Sequence, residues 1–499
     1  MKPIRVAGLA ALGMFLTSVT VYSFTPPGGV KISADTASDS RAVAGIDTAP
    51  SQDNGAVENA SQSQFSAGTT LHVDGRLGHT RLEKGSRGET FMMLEVRAES
   101  DRAAARAPVN LAIVIDRSGS MKGNRLRNAI QGASAAIDRL NDGDVVSVIT
   151  FDAKTSVLVT PTVIDASSRS RVRSEVQGIT LGGDTCISCG IEDALVQLDR
   201  TSGRVSRMIV LSDGDATAGV RDIPGFRAMA QRARDRGTSI TTIGVDVDYN
   251  EKIMTAIAAD SNGRHYFVEN ESGLERVFES ETAALTTTLA SNAEAQIELQ
   301  PGVELVRVFD RTFRRSGNRV IVPLGSFGSG ETKTVLVKVR APTDRDGSTA
   351  VASVDLTYRD HVGDTDGRCG GKLALDVGSG APSDLDAVVE GRVNRSETAS
   401  TLREANDLFA QGRVEDAKRK LDERQRALVT AAATAAANAA PARKADVDRD
   451  FAAQTSAVAD ANQVFATPPA GAAPAPAATT RAGKAAMKEN ASKALDMGF

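Results

Sequence analysis

The sequence predicts an α/β fold: a doubly wound, mostly parallel sheet inserted in a β-sandwich, with a C-terminal helical segment. Three observations predict it. Residues 111–115, 145–151 and 207–211 are dominated by apolar side chains without alternation, as strands covered on both faces require. Segments of helical period separate these runs, the order expected of a parallel sheet with helices on both sides. Strand-like runs also flank this block, and too few of them precede it to make a stable unit alone, so the two flanks are expected to pair.

Taken from the amino terminus, Lys2 and Arg5 precede an apolar stretch at 6–21, which Thr25, Pro26, Pro27, Gly28 and Gly29 close. Residues 1–23 are therefore expected to be a signal peptide or signal anchor. The run is shorter than the ~20 residues of a spanning helix, so cleavage is favoured over a retained N-terminal membrane anchor. Either outcome predicts an exported chain, periplasmic, at the cell surface or membrane-anchored, with its folded part extracytoplasmic. Residues 24–67, rich in Ser, Ala, Gly, Asp and Gln, read as a disordered tether.

Residues 68–107 and 292–380 form the expected sandwich, with strands at 70–73, 89–98, 295–299, 303–309, 319–323, 332–340 and 350–358. Gly325, Gly328 and Gly330 lack a following Lys-Ser/Thr and read as a hairpin turn, not a nucleotide loop. Residues 108–291 are the α/β block. Leu126, Ile130, Ala133, Ile137 and Leu140 recur at helical spacing, and Asn141, Asp142 and Gly143 end that helix. Further helices are expected at 168–177, 188–199, 223–236, 250–259 and from 272. Strands are expected at 156–160, an edge strand bounded by Pro161, and at 239–245 and 264–268. Asp246 and Asp248, with Asn250, are read as the start of the helix at 250–259. In residues 381–440, Ala405, Leu408, Phe409, Gly412, Ala417 and Leu421 resemble a single tetratricopeptide-like hairpin, expected to pack on the sandwich. Residues 441–499, Ala/Pro-rich with Pro468, Pro469, Pro474 and Pro476, are expected to be largely disordered.

The chemistry concentrates where the first buried strand ends. Asp116, Ser118 and Ser120 offer oxygens at alternating positions, hard cations take oxygen ligands, and open α/β sheets bind ligands at the carboxyl edge of their strands. Downstream stand Gly182, Gly183, Asp184, Thr185 and then Leu211, Ser212, Asp213, Gly214. Capping of the next helix would account for Asp116 and Ser118, but not for Thr185 and Asp213 at the ends of other elements.

Together these motifs resemble the von Willebrand factor type A family, specifically bacterial secreted or membrane-anchored members similar to calcium-activated chloride channel homologues. The resemblance spans residues 108–290 and implies a metal ion-dependent adhesion site. Ser118 and Ser120 would bind a divalent cation through their hydroxyls, Thr185 directly or through water, and Asp116 and Asp213 largely through bridging waters. Mg²⁺ is the expected ion, with Ca²⁺ and Mn²⁺ as alternatives. Asp184 departs from the family pattern, which runs from glycine straight to threonine.

Neutral hydroxyls and water-bridged carboxylates leave such an ion short of directly bound negative charge, so an Asp or Glu of a protein partner can replace one of its waters. The expected function is thus metal-dependent protein–protein binding or adhesion, without catalysis or a small-molecule substrate. The alternative is an accessory or scaffold subunit of an envelope transporter, channel or enzyme complex. A formal net charge of -4 gives no basic field for nucleic acid. Cys186 and Cys189, beside Thr185, are read as a disulfide clip on that loop, leaving Cys369 free or intermolecular. His72, His79, His265 and His361 are scattered and suggest neither a triad nor a zinc cluster.

Overall fold

The computed structural model describes residues 62–100, 107–269, 271–466 and 477–498; the expected signal segment and tether residues 24–61 lie outside them. Four strands come first: β1 (Gln64–Gly68), β2 (Leu71–Leu77), β3 (Arg81–Glu83) and β4 (Glu89–Ala98). The α/β block follows as β5 (Val109–Asp116), α1 (Asn124–Arg139), β6 (Val145–Phe151), β7 (Thr155–Val163), α2 (Ala166–Gln177), α3 (Ile187–Leu198), β8 (Val205–Ser212), α4 (Ile223–Asp235), β9 (Ser239–Val245), α5 (Glu251–Asp260), β10 (His265–Val268) and α6 (Glu271–Thr286). Seven more strands are β11 (Thr288–Leu299), β12 (Glu304–Phe309), β13 (Arg314–Ser316), β14 (Arg319–Gly328), β15 (Thr332–Arg340), β16 (Gly347–Asp360) and β17 (Thr365–Gly378). Four helices end the chain: α7 (Ala387–Ala410), α8 (Val414–Asn438), α9 (Lys444–Ala466) and α10 (Arg481–Gly498).

The α/β sheet has the order β10-β9-β8-β5-β6-β7, and only the edge pair β6–β7 is antiparallel. Every residue of β5 is buried, which is why its sequence shows no alternation. From β5 the chain steps to β6 on one side and to β8 on the other, so a topological switch point falls at the carboxyl ends of β5 and β8. One face is covered by α1 and α6, through Ala129, Ala133, Ile137, Leu274 and Phe278. A Cβ on Gly132 would stand 2.5 Å from the Phe278 ring, so this glycine sets how closely α1 and α6 approach. On the other face Ile187, Ile191, Phe226, Met229, Ile253 and Ile257 bring α3, α4 and α5 onto the sheet. Pro161 does not bound β7 but lies inside it, at a shift in register; an edge strand tolerates the missing N–H.

Strands from both flanks make two further sheets, β1-β2-β4-β15-β12 and β13-β14-β11-β16-β17-β3. Their inward residues, among them Leu71, Val73, Leu94, Val322, Val354 and Leu356, share one core. Gly330, with φ +70°, turns the chain between β14 and β15, but these strands lie in different sheets, so the expected hairpin turn is instead a crossover from one sheet to the other.

Two expectations are corrected. Residues 64–68 are not tether but β1, because Phe65 packs against this core over Gly75 and Gly371. Residues 441–499 are not largely disordered: α9 and α10 occupy most of that stretch, and the Pro-rich part, 467–476, lies outside the described residues. The composition concealed an apolar stripe, Val447, Phe451, Val458, Ala461 and Phe465, which buries against Leu402, Ala405 and Phe409 of α7. The hairpin of α7 and α8 is therefore half of a four-helix cluster. It also touches the five-stranded sheet, where Val389 meets Met93, Phe309 and Leu336.

Phe409 and Phe465 stack with ring centroids 4.0 Å apart in the middle of this cluster. Phe409→Ala is expected to cost ~3–5 kcal/mol locally and to release amide-exchange protection in α7 and α9 while leaving the α/β sheet protected. Unchanged exchange in α9 would refute that packing role.

Candidate functional site

Asp116, the last residue of β5, has no exposed surface, so its carboxylate must be bonded internally. Its Oδ1 accepts from the Ser118 N–H at 2.8 Å, and its Oδ2 accepts from Ser212 Oγ at 2.6 Å. Burial pushes Asp116 up to about 6; hydrogen bonds from Ser118 and Ser212 oppose this, and the charge of Asp213 adds to it. Asp213 is also fully buried, one residue beyond β8. Ser120 Oγ donates to Asp213 Oδ1 at 2.7 Å and lies 3.0 Å from Ser118 Oγ.

The third loop is tied to the first by backbone. Gly119 N–H donates to Gly183 O at 2.9 Å, and Gly182 N–H donates to Arg117 O at 2.7 Å. Thr185 is buried, its N–H donating to Thr217 Oγ1 at 2.9 Å. A Cβ on Gly214 would stand 3.5 Å from Ser120 Oγ and 3.8 Å from Thr185 Oγ1, so both hydroxyls border one small space. Asp116, Ser118, Ser120, Thr185 and Asp213 thus lie together at the switch point. Cys186 and Cys189 form a disulfide at the start of α3, directly after Thr185, and Cys369 is free.

This donor set fits a small hard cation. It combines two buried carboxylates, whose like charges oppose each other, with three neutral hydroxyls. Among the described residues no group of three or more His, Cys, Asp or Glu could hold a metal, so any ion here depends on the hydroxyls. What an ion would supply is charge neutralisation and an open coordination position.

A row of ion pairs outside the motifs escaped sequence reading. Arg125, in the first turn of α1, donates from Nη1 to Asp213 Oδ2 at 2.7 Å and to the Ser120 carbonyl at 3.1 Å. It also donates from Nε to Asp246 Oδ2 at 3.0 Å, and Asp246 Oδ1 pairs with Arg481 of α10 at 2.7 Å. Asp246 and Asp248 therefore do not start α5; Asn250 caps it, and Asp248 pairs with Lys484. Asp246 adopts φ +64°, a conformation Asp tolerates better than most residues. The only sequence signal for the row was an arginine one helical turn past the first motif.

The arrangement defines a class of protein: a doubly wound α/β domain with an oxygen-lined site at its switch point. Residues 110–280 match the model of the von Willebrand factor type A domain, and this part of the chain is a domain of that family. The chain is 27% identical over 216 residues to the uncharacterized protein YfbK of Escherichia coli, covering 42% of this chain and 37% of that one. It is 25% identical over 280 residues to the uncharacterized protein sll0103 of Synechocystis sp., covering 54% and 66%. The chain thus spans under two thirds of either relative. A solved von Willebrand factor type A protein from Catenulispora acidiphila superposes with a TM-score of 0.63 at 17% identity, covering 82% of this chain and 92% of that one. That span exceeds the family match, so the shared fold extends beyond the α/β domain.

Beneath the Asp246 loop, buried His265 is hydrogen-bonded to Thr242 Oγ1 at 2.9 Å and to the Tyr249 hydroxyl at 3.0 Å. Burial pulls His265 down to about 3, below its ordinary 6.5. The unfolded chain therefore binds the proton more readily, and this histidine's stability contribution, present above about 6.5, is lost as pH falls toward about 3. The loss is on the order of 5 kcal/mol at most. His265→Gln should flatten the acid limb of stability against pH; an unchanged limb would place the acid sensitivity elsewhere.

Proposed function

We propose that the α/β domain captures an acidic side chain of a protein partner through a divalent cation. Ser118, Ser120 and Thr185 would hold the ion by their hydroxyls, with Asp116 and Asp213 acting through water; Mg²⁺ is the preferred ion and Ca²⁺ or Mn²⁺ the alternatives. The observation that carries this reading is the convergence of residues from three separate loops on one space bordered by Ser120 and Thr185. Protein–protein interaction is the typical role of the domain family. The protein's own residues would contribute orientation and partial neutralisation: Ser212 and the Ser118 N–H fix Asp116, and Arg125 engages one oxygen of Asp213, leaving Oδ1 to Ser120.

The same reading includes an extracytoplasmic location and a β-sandwich, 68–107 with 292–380, holding the inserted domain 108–291. The shared core of the two flanking sheets supports the latter. The chloride-channel-homologue subtype rests on the sequence motifs alone.

Calorimetry and thermal unfolding test the ion. Mg²⁺ at a hundredfold excess over its dissociation constant should stabilise the parent by ~2.7 kcal/mol, and Asp116→Ala or Ser118→Ala should abolish that gain while the fold survives. Either variant binding Mg²⁺ as the parent does would refute the ligand assignment. The Cys186–Cys189 bond closes a short loop, worth only ~2 kcal/mol globally in the chain-entropy picture. Reducing it should weaken metal-dependent partner capture more than it lowers Tm, because Thr185 precedes it directly.

A further inference from the structure

Away from the switch point, a cavity of about 190 Å³ lies where the α/β domain, the flanking sheets and α10 meet. Four cationic side chains line it: Arg207 and Arg264 of the α/β domain, and Arg311 and Lys333 of the flanking strands. Two lining carboxylates, Glu331 and Asp496, face them. Glu281, just behind, pairs with Arg207 at 3.1 Å and Arg264 at 3.6 Å. Glu331 pairs with Arg264 at 3.1 Å and with Lys333 at 3.7 Å, and Asp310 also pulls on Arg311, so cations and acids interleave around the cavity.

The donors are also incompletely used. Arg207 Nε and Asn262 Nδ2, both on lining residues, find no hydrogen-bond partner among the described residues, although polar groups this buried are normally bonded. Lys333 is fixed, its ammonium donating to the Leu324 carbonyl at 2.9 Å and the Ser326 carbonyl at 2.6 Å, over the Phe327 ring. Burial pulls Lys333 down to about 8, a cost that a nearby anion would relieve. Asp496, at the end of α10, makes no hydrogen bond or ion pair among the described residues, and burial pushes it up to about 6 despite the pull of Arg264 and Arg395. Asp496 thus bonds neither spare donor. Of the lining residues, Arg264 reaches solvent, its side chain being 41% exposed.

We propose that this cavity binds a small free oxyanion of the phosphate or sulfate type, held by Arg207, Asn262, Arg264 and Lys333 beside Asp496. Such an anion supplies several acceptor atoms for the spare donors, and a charge that favours the guanidinium and ammonium groups, in a volume that holds it with a few waters. Because its ligands come from both the α/β domain and the flanking strands, occupancy would hold those two parts together. The site is independent of the metal reading.

Inorganic phosphate, titrated into the full chain by calorimetry in a non-coordinating buffer, should bind saturably at one site and raise Tm beyond a chloride control of equal ionic strength. Sulfate should behave alike, and acetate should bind more weakly. Arg264→Gln is expected to weaken phosphate about ten-fold, the effect of one charge-assisted hydrogen bond. Asp496→Asn, which removes a repelling charge, should tighten it several-fold; a purely structural Asp496 would not. Asp116→Ala should leave phosphate binding unchanged. The proposal is overturned by a Tm gain no larger than chloride gives, by Arg264→Gln or Asp496→Asn binding phosphate as the parent does, or by loss of binding in Asp116→Ala. Acetate binding as well as phosphate would also overturn it, assigning the cavity to a carboxylate instead.

Discussion

Two carboxylates, Asp116 and Asp213, are buried near each other at the carboxyl edge of a parallel sheet, and the surroundings are organised by the cost of keeping them there. A buried carboxylate needs hydrogen bonds or opposite charge. Asp116 is served by the Ser118 N–H and Ser212 Oγ, both supplied by strand ends that the sheet register holds side by side. Asp213 is served by Ser120 and Arg125. The alternation of Asp116, Ser118 and Ser120 thus has a local meaning before any ligand is considered: each side chain turns back to the edge where the next carboxylate lies.

That logic explains what the sequence made legible. β5, β6, β8 and β9 are buried on both faces, so their composition alone marks them as strands of one sheet. Helix α1 follows from the spacing of Leu126, Ala133 and Ile137. Asp116, Ser118, Ser120, Thr185 and Asp213 could be named together through the family resemblance of their three motifs, while the apolar runs located the strand ends that carry Asp116 and Asp213. Their common position then follows from the parallel sheet, which brings those ends to one edge.

Long-range pairing was not legible. The partners of Arg125 are Asp213 and Asp246, and Asp246 in turn meets Arg481, more than two hundred residues further on. No local period reports such a contact. The tail misled for a different reason: Ala-rich helices carry weak apolar contrast, and α9 and α10 declare themselves only through tertiary burial of residues such as Phe451, Phe465 and Ala494. β1 was missed because a single aromatic, Phe65, provides much of its anchorage. These are cases in which packing overrides composition.

Helix α10 links these strands of argument. Its first turn places Arg481 and Lys484 on Asp246 and Asp248, and Lys488 reaches the Tyr249 carbonyl at 2.5 Å and the Glu251 carboxylate. Further along, Ser492 donates to the His265 carbonyl, and Asp496 lines the cationic cavity. One helix therefore touches the loop that positions Arg125 and, about four turns away, the junction with the flanking sheets. The exposed pairs at its start contribute little individually in water. Lys488 differs, because it is buried and satisfied by a carbonyl, a carboxylate and the Tyr249 ring, so displacing α10 would strand an ammonium's partners inside the α/β domain. The helix is held by that buried contact, and its exposed arginine is thereby kept beside the carboxylate that shares Arg125 with the switch-point site.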